Sequence, residues 1–209
     1  MRKSPRGTTG AAPLPPENLH SISLPIEEIA ADGLLYRVHA SAYDPTFYGP
    51  SPSNPPGYRF DPYSGRFGVI YIAPHPEAAM IETLLRQPRR ATVDYREIAD
   101  RSLALMMADR SLRLVSATGP NLLRLGTTFA LSTGPYEPCA QWADALFDHP
   151  DTPDGILFGS RHNPEELCIA LFEKPDIALT VVETVPLTSH LKQVGEILDR
   201  HGKSLYGGP

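Results

Sequence analysis

A chain of 209 residues with an apolar fraction of 41% is sized for one domain, with or without appendages, and can bury a sizeable core. Its formal charge of -5 argues against a broad nucleic-acid-binding surface, and no apolar run approaches the roughly 18 residues needed to span a bilayer. Cys139 and Cys168 form neither a CxxC pair nor a disulfide framework.

In chain order, residues 1–25 hold five prolines and few large apolar side chains, which predicts a mobile arm, one able to dock on a partner. The opening stretch is basic but has no apolar h-region, so it does not read as a secretory signal, and the reading places the chain in the cytoplasm. "LLYRVH" (34–39) predicts a strand. Residues 43–66 form a long loop rich in proline and aromatics, a combination that favours function over disorder. "GVIYIA" (68–73) predicts a second strand, and a helix follows from Pro76 to Gln87, with proline suited to its first turn.

Further strands are predicted over 91–98, 102–108, 111–116, 155–160, 167–173 and 177–183, and a helix over 137–149. Cys168, inside "LCIALF", reads as a buried reduced thiol. An amphipathic helix over 189–202 ends at Gly202. The expectation is an α+β domain over 26–187, preceded by the arm and followed by a C-terminal helix and tail over 188–209.

Glu82 sits at the edge of an apolar helical face made by Ala78, Ile81, Leu84 and Leu85. One reading is an i,i+4 ion pair with Arg86; the other is a carboxylate set in a hollow that the small alanines leave for a ligand. Arg37 shares a strand face with Leu35 and His39, where a guanidinium is costly unless it is paired, solvated at an edge or presented to an anion. Arg59, in "GYRFDP", is either a solvated loop cation or a phosphate fork, with Arg66 a weaker candidate of that kind. Tyr71 reads as core with a satisfied hydroxyl or as a stacking platform. Ser160, after "GILFG", is either a turn cap or a ligand contact, with Ser132 in "ALSTG" its rival. The histidines His39, His75, His149 and His162 show no metal-ligand spacing, and there is no P-loop, GxGxxG or GxSxG motif.

The succession of a strand arginine, "GYRFDP", "GVIYIAPHPEAAMIETL" and "PDGILFGSRHNPEELCIALF" resembles the RES family, the toxins of RES–Xre toxin–antitoxin pairs. The resemblance covers about residues 34 to 173. It implies a split β-core like that of the ADP-ribosyltransferase toxins, NAD+ as substrate and no metal. It also implies catalytic roles for Glu82, Arg37 and Ser160, and NAD+ binding by Arg37, Arg59, Tyr71 and Ser160. The stretch before Ser160 is expanded relative to the family, which keeps Ser132 as the alternative serine. The implied activity cleaves the nicotinamide–ribose bond and transfers ADP-ribose, here to a protein acceptor; water or phosphate as acceptor would make a glycohydrolase or a phosphorylase. An Xre-like antitoxin is the implied partner. A non-catalytic module binding a nucleotide or a protein is the reading of a different class.

Overall fold

Strand alternation decides the layering. The computed structural model describes residues 10–49 and 57–208. The first half of the chain forms β1 (Ile26–Ile29), β2 (Leu35–Ala40), β3 (Val69–Ile72), α1 (Pro76–Leu84), β4 (Thr92–Asp94), α2 (Tyr95–Ala99) and β5 (Arg101–Ala108). The second half forms β6 (Leu112–Ala117), α3 (Asn121–Arg124), α4 (Ala130–Thr133) and α5 (Tyr136–Phe147). After these come β7 (Gly155–Gly159), β8 (Leu167–Phe172), β9 (Leu179–Pro186), α6 (Leu191–Arg200) and β10 (Ser204–Tyr206).

A five-stranded sheet in the order β1-β6-β7-β8-β3 packs against a three-stranded sheet in the order β2-β5-β9. In β8, Cys168, Ala170 and Phe172 face a cluster containing Trp142 of α5, Phe60 and Phe158. Ile169 and Leu171 face the opposite way, onto Leu35, Ala104 and Met106 of the smaller sheet. The smaller sheet's other face, through Val38 and Leu103, is covered by α1 and α6. The layers are therefore α5, large sheet, small sheet, then α1 with α6: the expected α+β architecture. Among the described residues the backbones of the two sheets are hydrogen-bonded through one isolated bridge, in which the Tyr36 and Ala73 amides exchange bonds of 2.8 and 2.9 Å. Here β2 and β3 part company, so the core is split.

Two expectations are corrected. Residues 91–98 do not form one strand: β4 stops after three residues and α2 begins, because Asp94 and Glu97 make a reciprocal capping box. Residues 10–25 are no free arm. Ala12, Leu19 and Leu24 are buried, the Trp142 indole N–H donates to the Pro13 carbonyl at 2.8 Å, and the His149 Nε2–H donates to the Leu19 carbonyl at 3.0 Å. The expected C-terminal helix is present as α6 and is packed into the domain, since Val194, Ile197 and Leu198 share a core cluster with Ala78 and Ile81, and the tail adds β10, which pairs in parallel with β4. Part of the 43–66 loop, residues 50–56, lies outside the described residues. Cys139 and Cys168 are free and buried.

Candidate active site

Glu82 leaves α1 on the side that meets the end of β7, and its Oε1 accepts the hydroxyl proton of Ser160. Ser160 is fully buried. Its oxygen also accepts the amides of His162 and Asn163 at 3.1 and 3.2 Å, so the turn that follows β7 is wound around this hydroxyl. The serine is thus both a turn cap and the partner of the carboxylate. Arg86 makes no ion pair with Glu82: its Nε donates to the Glu82 carbonyl oxygen at 3.0 Å, and its guanidinium lies 5.6 Å from the centre of the Tyr58 ring. The carboxylate charge is left without a cationic partner among the described residues. The alanines do not open a hollow. Ala78 and Ala79 are buried with Val38, Ala73 and Leu103, so they bring α1 close onto the small sheet.

Arg37 stands in β2 opposite Ala104 of β5. It is half-buried, and its Nη1 donates to the carbonyls of Pro45 and Phe47 at 2.6 and 2.8 Å. It pins the start of the 43–66 loop while keeping its charge. Burial lowers its pKa, while the fields of Tyr58, Asp44 and Tyr48 oppose that.

Arg59 is not a solvated loop cation. It is 6% exposed, with Nη1 donating to the Gly134 carbonyl at 2.9 Å and the Leu131 carbonyl at 3.3 Å. Its guanidinium lies 4.9 Å from the centre of the Tyr136 ring, and its Nη2 is buried with no hydrogen-bond partner among the described residues. Arg66 instead pairs on the surface with Asp148, at 2.6 Å.

Tyr71 projects from β3 toward the α5 side. Its hydroxyl accepts the Phe60 amide at 2.8 Å and donates to Asp61 at 3.2 Å, and its ring centre lies 5.7 Å from that of Tyr58. Burial, and then the Asp61 charge, push its hydroxyl well above the ordinary phenol range. Ser132 is buried with its hydroxyl unpartnered, and no contact joins it to Glu82 among the described residues.

His162, Tyr58 and Arg86 were not singled out as site residues by the sequence. Burial holds the His162 imidazole below its ordinary pKa; the Glu82 charge pulls it up, and Arg161, Arg86 and Arg59 push it down. His162 therefore senses Glu82, Arg86 and Arg59 together. Tyr58 links the remaining members, since it stacks toward Tyr71, underlies Arg86 and stands in the field of Arg37. Its position between "G" and "R" of the recognised turn was the only available signal. No group of three or more metal-ligating side chains occurs among the described residues, and no described helix is long and apolar enough to cross a membrane.

A family model described as RES domain matches residues 34–191. The chain belongs to the RES domain family. This RES domain is 33% identical over 104 residues to a Sinorhizobium fredii (strain NBRC 101917 / NGR234) protein described as "Probable toxin y4kH", a match covering 49% of the chain and 81% of that relative. Its fold is similar to that of a chain in the crystal structure of the M. tuberculosis MbcT–MbcA toxin–antitoxin complex. That superposition has a TM-score of 0.60 at 19% identity and covers 82% of this chain and 92% of the other.

Proposed function

We propose that this RES domain is the toxin of a toxin–antitoxin pair and cleaves the nicotinamide–ribose bond of NAD+, passing ADP-ribose to a protein acceptor. The observation that carries the reading is the Glu82–Ser160 hydrogen bond between α1 and the end of β7. It presents a carboxylate that no arginine or lysine neutralises among the described residues, and Arg86, which bonds the Glu82 carbonyl, links it to Tyr58 and through that ring to Tyr71.

Cleavage of the N-glycosidic bond sends its electron pair to the pyridinium ring, which departs as neutral nicotinamide, and leaves positive charge on the ribose. A fixed carboxylate at that point stabilises the charge without having to reorganise. Ser160 holds Oε1, so Oε2 is the oxygen free to take a ribose hydroxyl or the proton that the acceptor loses as its new bond to the ribose carbon forms. Arg37 supplies a charged fork for the pyrophosphate, and the buried Arg59 adds its positive charge, which reaches Tyr71 and His162. The Tyr71 ring is the stacking surface for nicotinamide.

Transfer to a protein is favoured over water or phosphate by the exposed aromatics of the 43–66 loop. Tyr43, Phe47, Tyr58 and Tyr63 are each between 44% and 69% exposed, a surface suited to a protein acceptor. The proposed partner is an Xre-like antitoxin, and the y4kH and MbcT–MbcA matches support a toxin role. Incubation with NAD+ and cell extract, followed by mass spectrometry, tests the acceptor. ADP-ribose attached to a protein supports this reading, whereas free ADP-ribose or its 1″-phosphate as the sole product replaces it.

A further inference from the structure

A partly enclosed polar cavity of about 160 Å³ lies around the helix from Glu82, between the end of α1, β4, α2 and the residues leading into β10. Four cationic side chains line it, Arg86, Arg90, Arg101 and Lys203, against one carboxylate, Glu97. In a chain of net charge -5 such a gathering is not a composition effect. Arg90 pairs with Glu97, and Arg101 donates to the Glu97 carbonyl. Lys203 caps the carbonyls of Gln87 and Pro88 at 3.1 and 3.3 Å, as well as that of Arg90. After these contacts one carboxylate still faces four positive charges. Like charges brought together in a partly enclosed hollow repel one another more than they do in bulk water, and an anion bound among them reduces that cost.

We infer that this cavity is an oxyanion site, separate from the candidate active site, that takes a phosphate group. Its volume equals about five waters at roughly 30 Å³ each, enough for a phosphate with a few waters and below the size of ordinary ligand pockets. The forked arginines provide charge-assisted donors from several elements, the arrangement that tetrahedral oxyanions select, and the Lys203 ammonium, its three protons given to carbonyls, adds positive charge. The hydroxyls of Thr83 and Thr92 line the same space. Arg86 belongs to both places, lining the cavity while bonding the Glu82 carbonyl and lying over Tyr58. Occupancy therefore ties the end of α1 to the C-terminal strand one residue away from the carboxylate. The group is either the free ion or the phosphate monoester of a nucleotide.

Calorimetric titration of the purified full chain with inorganic phosphate, at constant ionic strength and without NAD+, tests this independently of any turnover. One saturable site per chain is expected. Arg90→Gln should weaken it about tenfold or more, as loss of a charged hydrogen bond does, and Lys203→Gln should weaken it through the loss of one positive charge. Glu97→Gln, whose amide still serves the capping box, should tighten it several-fold. Adenosine monophosphate binding tighter than phosphate identifies a nucleotide source, and the reverse identifies the free ion; either supports the site. If Lys203→Gln loses its helical circular dichroism, Arg90→Gln and Glu97→Gln carry the comparison. Absence of saturable heat, equal displacement by chloride, or equal affinity in Arg90→Gln and Glu97→Gln would overturn the assignment.

Discussion

Ser160 and Glu82, separated by 78 positions in the chain, share a hydrogen bond in which the serine hydroxyl donates and also accepts two backbone amides. One side chain therefore closes the turn after β7 and aims the carboxylate of α1. Ser160→Ala leaves two amides without an acceptor and lets the carboxylate rotate. It should cost about 1–3 kcal/mol of stability and reduce NAD+ consumption. Ser132→Ala removes a buried hydroxyl that has no partner, so it should change stability by less than about 0.5 kcal/mol or raise it slightly and leave turnover intact. Urea unfolding alongside an NAD+ assay checks both; equal activity losses would erase the distinction between the two serines.

Arg59 has structural work of its own. Its Nη1 satisfies the carbonyls of Leu131 and Gly134, which lie where α4 gives way to α5. Arg59→Ala should destabilise the fold by about 2–3 kcal/mol through those stranded acceptors. Half-buried Arg37, which holds only loop carbonyls, should cost less when changed to Ala. Denaturant midpoints at equal m-value read the difference.

The single tryptophan reports on residues 10–25. Trp142 is buried and bonded to the Pro13 carbonyl, so deleting residues 1–16 should shift its fluorescence to the red and cost about 1–3 kcal/mol. An unchanged emission maximum would show that this segment does not cover it.

Asp154 gives a pH signature. Burial alone would raise its pKa, but the Arg110 side chain and the Arg113 amide, with the charges of Arg110 and Lys174, pull it below the ordinary carboxylate value. A depressed folded-state pKa contributes stability that is fully present above the unfolded value of about 3.9 and is lost as pH falls through the folded one. The stability gap between the wild type and Asp154→Asn should stay constant from pH 7 to about 5 and shrink below about 4. A gap that widens on acidification would contradict the network.

Much of the site was legible because its parts are local. The strand of Arg37, the strand of Tyr71 and the helix of Glu82 follow from alternation and from Pro76. Burial was not legible. Arg59 stands in a polar-looking turn, and nothing in "GYRFDP" indicates that α4 and α5 fold over it. The alanines beside Glu82 suggested a hollow, and only the small sheet packed against them shows that they serve close approach instead. The capping box at Asp94 and Glu97 was visible, yet the apolar run around it read as a strand; the local cap prevailed over the pattern. Residues 10–25 looked free because prolines hide how a few apolar side chains, Leu19 and Leu24 among them, find a groove beside Trp142.

The central claim is that Glu82 supplies the negative charge on which nicotinamide departure depends. Nicotinamide release from NAD+ by the purified wild-type chain and by Glu82→Gln, both verified as folded by thermal unfolding, measures it directly. Release by the wild type and a loss of about 100-fold or more in the variant is the predicted result. Equal release by the two proteins, or none by the wild type, would contradict it.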